Sequence, residues 1–161
     1  VSNPMVQRSH EAVQVALELP AERALFEGQA DAWIIGLHSD ERPPRGLAGI
    51  IDWHTKGWVS NFLAKGIFQG SSGECAYFPL KHHDRTLHFL FVGLGKSTLP
   101  GPSSHSGSIP AASLRLLEQN LETLGRPNWG VSLSDLGDKS VQPIAHALGK
   151  HSRGGQVWIS P

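Results

Sequence analysis

The chain has 161 residues (17.4 kDa), of which 39% are hydrophobic and 17% charged, with 18 glycines and 11 prolines. That length suits one domain with a single core, and the composition excludes a disordered polyelectrolyte. Fourteen basic residues balance 14 acidic ones and Cys75 stands alone, which argues against a global positive field for nucleic acid or membrane surfaces, an internal disulfide and a multi-cysteine zinc site.

Residues 1–11 are polar and aperiodic and lack the apolar stretch of a signal peptide, so they read as a flexible lead to one domain over 12–161. No run approaches the roughly 18 apolar residues of a membrane span, and a cytoplasmic protein is expected. From Ala12 to Leu19, apolar Val13, Val15, Leu17 and Leu19 alternate with Gln14 and Glu18, the period of a strand with one wet face that Pro20 stops. After the short stretch AERALFEGQA, the continuous run Ala32–Leu37 suits an interior strand covered on both faces. The segment SDERPPRG is a connection, because its prolines and glycine continue neither strand nor helix.

Two short helices follow. Leu47, Ile50 and Ile51 share a face in the first, and in the second the pairs Trp58/Phe62 and Val59/Leu63 sit four apart, with Gly66 as its end. Cys75–Leu80 is a strand, KHHDR a turn, and Leu87–Val92 the most apolar strand, running into Gly93-Leu94-Gly95-Lys96. Beyond the Pro/Gly/Ser loop 100–108, a helix spans about Pro110 to Leu124. Ser108 is placed to cap it, Leu114, Leu117, Leu121 and Leu124 form its buried stripe, and Gly125 ends it. Trp129, Val131 and Leu133 alternate as a strand, Ser140 caps a helix that Gly149 ends, and Val157–Ile159 is a last strand. Strands alternating with helices, plus one hairpin, predict a three-layer α/β/α fold around a mixed, mainly parallel sheet of about five to six strands.

The turn Gly93-Leu94-Gly95-Lys96-Ser97-Thr98 resembles a phosphate-binding loop, but Leu90 occupies the first glycine position of a P-loop and Thr98 the third of a GxGxxG fingerprint. It reads as a tight turn at a strand's carboxyl end, where α/β sheets bind ligands, so a weak anion site at Gly93, Gly95, Lys96 and Ser97 stays open. The adjacent His82 and His83 are expected to point apart, and His146 and His151, five apart, miss the helical spacing for a shared metal. Ser103, Ser104 and Ser106 around His105 lie in the loop and match no nucleophile elbow. Cys75, beside Glu74, reads as a core or edge residue, and Asp135 and Asp138 around Gly137 as turn and cap residues. The five tryptophans fall in or beside apolar segments, as core or interface.

The segments ADAWIIG (30–36), GLAGIIDW (46–53), GWVSNFLAKG (57–66), FQGSSGE (68–74) with CAYFPL (75–80), LHFLFVGLGK (87–96), the Leu124-Gly125 helix end and WGVSL (129–133) occur in this order. Together, over about residues 12 to 159, they resemble the N-terminal domain of the M17 leucyl aminopeptidases. The resemblance implies a macrodomain-like fold and catalysis elsewhere. In that family two metal ions (zinc or manganese), their ligands and the catalytic lysine and arginine belong to a larger C-terminal domain, whose NTDAEGRL signature is absent here. No catalytic residue, metal ligand or cofactor is therefore assigned to this chain. It is expected to be non-catalytic alone and to act in assembly or regulation, pairing with itself or with a catalytic M17 partner, or as part of a longer aminopeptidase. Some bacterial family members bind DNA, which the neutral charge disfavours here.

The macrodomain likeness implies an alternative, a binding module for a nucleotide or ADP-ribose-type ligand. Asp31 stands where macrodomains place an acidic residue on the base, and Gly36 begins the strand end Gly36-Leu37-His38-Ser39, which departs from the Asn-rich pattern. The glycine-rich ribose loop is replaced by Glu41-Arg42-Pro43-Pro44-Arg45-Gly46, whose prolines remove amide donors.

Overall fold

A computed structural model describes residues 12–28, 30–97, 109–151 and 155–161. The lead 1–11 and the loop 100–108, with Ser108 and its expected cap, lie outside these residues. Six strands form one sheet: β1 (Val13–Ala16), β2 (Ala32–His38), β3 (Cys75–His82), β4 (Arg85–Gly95), β5 (Asn128–Ser132) and β6 (Gln156–Ser160), in the order β1-β6-β5-β2-β4-β3. All neighbours are parallel except β3 and β4, which run antiparallel and are joined by the two residues His83-Asp84. The fold is the mixed, mainly parallel three-layer α/β architecture expected from the sequence.

The continuous apolar runs behave as two-sided strands. Trp33, Ile35 and Leu37 of β2 and Leu87, Phe89 and Phe91 of β4 enter a core under α1 (Ala21–Glu27), α2 (Gly46–His54) and α3 (Trp58–Ala64). Ala32 and Ile34, with Leu90 and Val92, face the opposite core under α4 (Ala111–Leu124), the short α5 (Leu133–Leu136) and α6 (Val141–His151). Burying such side chains is worth roughly 1.5–3 kcal/mol each, so these two strands carry much of the fold. Gly130 of β5 is required by this packing: a Cβ there would lie 2.6–2.7 Å from the Trp33 ring.

Local signals explain the helix ends. Gly66 adopts φ +70° just past α3, and the Gly66 and Ile67 amides return to the Leu63 and Phe62 carbonyls. Gly125 closes α4 with φ +65°. Elsewhere tertiary context overrides the local reading. AERALFEGQA contains α1, whose Ala21, Ala24 and Leu25 fill one core at helical spacing. Leu133 leaves the strand to open α5, and Gly149 does not stop α6, which continues to His151. Ser140 ends a 3-10 turn and donates its hydroxyl to the Leu136 carbonyl. β1 is shorter than its alternation suggests, and as an edge strand it leaves Val13 59% exposed. Trp53 is 84% exposed, so it is not one of the core tryptophans, since it lies on α2 away from the buried Leu47, Ala48 and Ile51.

Candidate functional site

The parallel strands β2, β4 and β5 end along one edge of the sheet, the edge at which this architecture usually takes ligands. Gly36, Gly93, Gly95, Lys96 and Ser97 lie there. Gly93 to Gly95 continue β4 instead of forming the tight turn expected from the sequence, and this strand end with Ser97 is stitched to the chain on all sides. The Gly93 amide donates to the Glu74 carbonyl (2.8 Å), and the Gly95 amide to the Gly70 carbonyl (2.9 Å). The Ser97 amide and hydroxyl donate to the two carboxylate oxygens of Asp40 at 2.8 and 3.0 Å. In the other direction, the Gly95 carbonyl accepts from the Ser39 amide (2.9 Å) and from His38 Nδ1 (3.2 Å). Ser113 of α4 donates to the Gly93 carbonyl (2.6 Å) while accepting from the Gly73 amide (2.8 Å). Gly93 has no room for a side chain, because a Cβ would fall 1.9 Å from the Ser71 carbonyl oxygen. Lys96, the first residue past β4, is exposed.

Gly36 is covered too. A Cβ there would sit 2.7 Å from Leu94 and 2.8 Å from Leu136, so apolar side chains lie over it. The segment FQGSSGE forms a turn held by its own acid: Glu74 accepts from the Ser71 amide at 2.7 Å and the Gln69 amide at 3.3 Å.

Asp135 supplies a second internal carboxylate at this edge. It was expected to serve its own turn, yet from α5 its Oδ1 accepts the Leu47 amide at 3.1 Å, in the first turn of α2. A carboxylate at a helix N-terminus meets unpaired amides and the positive end of the helix dipole, the environment that otherwise attracts an anion. The entry depends on Gly46, with φ +60°, where a Cβ would be 1.9 Å from Oδ1. Oδ2 is buried without a hydrogen-bond partner. Burial pushes the Asp135 carboxyl up to about 6, with the Leu47 and Gly36 amides pulling the other way and the Glu41 carboxylate adding to the rise.

Asp31 does not join this group. It precedes β2, at the amino ends of the parallel strands, and pairs with Arg126 before β5 at 2.8 Å. Close by, Tyr77 and His88 share a 2.5 Å hydrogen bond, and burial holds the His88 pKa below its ordinary value, with the Arg126 charge assisting. His82 and His83, expected apart, have ring centroids 4.4 Å apart, because His83 turns with φ 55° at the hairpin. Phe26 lies between His82 and His54, at 5.0 and 4.3 Å. Cys75 opens edge strand β3, where burial pushes its thiol up to about 12 and makes it a poor nucleophile. Among the described residues no three His, Cys, Asp or Glu side chains stand where they could hold a metal ion. No helix among them is long and apolar enough to cross a membrane.

Asp40, Glu74, Ser113 and Asp135 are the residues that sequence reasoning missed. Glu74 had a local signal, three residues after Ser71. Asp135 had none, because its partner Leu47 is 88 residues away.

No protein-family model matches the chain, and no curated protein matches it either. Solved structures share its fold. A variant of the tomato leucine aminopeptidase superposes with a TM-score of 0.55 at 17% identity, over 96% of this chain and 33% of that one. The macrodomain of Thermus aquaticus DarG gives a TM-score of 0.61 at 14% identity, and that of Mycobacterium tuberculosis DarG 0.61 at 11%, each over 93% of this chain and 99% of the macrodomain. The chain thus spans a third of the aminopeptidase and nearly all of each macrodomain.

Proposed function

We propose that this chain is a non-catalytic domain of the M17 N-terminal type that serves assembly or regulation, either alone beside a catalytic partner or within a longer aminopeptidase. One observation carries the reading: the amides and helix N-terminus at the carboxyl edge, where a macrodomain-like sheet would take an anionic ligand, are engaged by the chain's own Asp40, Asp135 and neighbouring carbonyls. A phosphate entering there would have to displace a carboxylate or break backbone bonds, and each such bond is worth about 0.5–1.5 kcal/mol net. Peptide hydrolysis by metal-activated water requires an open coordination site, for which the described residues offer no ligand set. Aminopeptidase assays on the pure chain with added Mn²⁺ or Zn²⁺ are expected to be blank, and light scattering to show self-association or binding to a catalytic M17 subunit. Metal-dependent turnover by the pure chain overturns the proposal.

A nucleotide or ADP-ribose-type binding module is the second reading. The near-complete overlap in fold with two macrodomains favours it. Thermal shift separates the two, because a ligand that binds only the folded state raises the midpoint with concentration.

A further inference from the structure

The face opposite in character to the stitched edge lies between α3 and β3. Trp58, Asn61, Phe62, Lys65, Ile67 and Phe78 enclose a groove of about 340 Å³ there. Its floor is aromatic: the Phe62 and Phe78 rings stack at 4.6 Å, and Trp58 meets them edge-on at 5.5 and 6.1 Å. Ile67 on the rim is 58% exposed. We propose that this groove docks an acidic segment of a partner protein, which inserts an apolar side chain against the rings and sets a carboxylate on Lys65. The proposal deepens the assembly reading and rests on it.

Charge selects the occupant. Every lining residue except Phe78 comes from 53–73, a stretch with Lys56 and Lys65 and no Asp or Glu. Glu74, the next acid after this stretch, is held by the Ser71 and Gln69 amides. Asp52, just before the stretch, is engaged by the Ser60 amide and hydroxyl at 2.8 and 2.6 Å. An apolar floor with Lys65 as the charged residue of its lining, on a chain with formal net charge zero, is complementary to an acidic, apolar-anchored segment. Two-fold pairing of this face with itself would bring like charges together. Strand addition along β3 is opposed by Pro79, which has no N–H to give.

The test uses the full chain, labelled for amide NMR, and a probe peptide Glu-Asp-Glu-Phe-Asp-Glu-Asp. The controls carry lysines for the acids, or serine for the phenylalanine. The acidic peptide is expected to shift the Asn61, Lys65 and Ile67 amide signals and to bind about tenfold tighter than either control. Lys65→Glu and Ile67→Asp change exposed side chains, so the fold survives them, and each is expected to weaken binding about fivefold or more. Equal binding of all three peptides, shifts confined to another face, or no effect of either variant overturns the proposal. So does an oligomer that Ile67→Asp converts to monomer, which would make a second copy the occupant. If the peptide fails while light scattering still shows assembly through another face, the groove proposal falls and the assembly reading stands.

Discussion

The carboxyl edge of the sheet and the α3–β3 face belong to one fold but satisfy their surfaces in different ways. At the edge the exposed groups are amides, carbonyls and hydroxyls, and Asp40, Glu74, Ser113 and Asp135 complete them from within the chain. On the α3–β3 face Ile67 is exposed and Trp58 and Phe78 lie half-buried over the buried Phe62, and no hydrogen bond can satisfy an apolar surface. Only cover removes it from water. The lesson is that the edge where this architecture usually works is internally closed, and the unmet demand of the surface lies elsewhere.

The sharpest way to break that contrast is to force the closed edge open. Gly93→Ala drives a Cβ into the Ser71 carbonyl, a backbone atom that cannot swing aside, and is expected to cost about 3 kcal/mol or more in urea unfolding. A neutral result would mean that the end of β4 lies free of residues 70–71.

Asp135→Asn tests the second carboxylate. Its folded pKa of about 6 lies above the ordinary 3.8, so the folded state holds the proton more tightly than the unfolded chain. Stability from this group therefore rises as pH falls from about 6 toward 4, and the ionised form costs stability at pH 7. Asparagine removes that cost, and the variant is expected to be on the order of 2 kcal/mol more stable than the wild type at pH 7. The gain should shrink toward zero near pH 4. A variant that is less stable at pH 7 would show that the ionised cap on Leu47 outweighs its burial.

Asp40→Ala is milder. It removes two bonds to Ser97 at an exposed site and should cost about 1 kcal/mol, without creating affinity for pyrophosphate in titration calorimetry. Measurable pyrophosphate binding by this variant would reveal a masked anion site. On the open face, Ile67→Asp is expected to change stability by less than about 0.5 kcal/mol, because the side chain is already in water and only its partner would notice.

Much of the fold was legible because its signals are local or strongly periodic. The unbroken runs Ala32–Leu37 and Leu87–Val92 marked two-sided strands, KHHDR marked the hairpin, and Gly66 and Gly125 marked helix ends. α1 escaped because seven residues with three buried positions make a weak period, and Leu133 continued the strand alternation that the fold breaks. The site was less legible. Gly93, Gly95 and Ser97 announced the right edge but read as a tight turn, whereas Gly93 and Gly95 lie within β4, and their partners come from Asp40 and Gly70, in distant segments. Asp31 carried an analogy that placed it with the ligand edge, whereas its position before β2 puts it at the other end of the strands. His83 shows the same limit on a small scale, since a left-handed turn brings together two rings that strand alternation would part.

Calorimetric titration of the full chain with ADP-ribose tests the central claim most directly. With the carboxyl edge engaged by Asp40 and Asp135, no saturable heat is expected at millimolar ligand. Saturable binding that Asp135→Asn or Asp40→Ala alters would contradict the closed edge and make the chain a ligand-binding macrodomain.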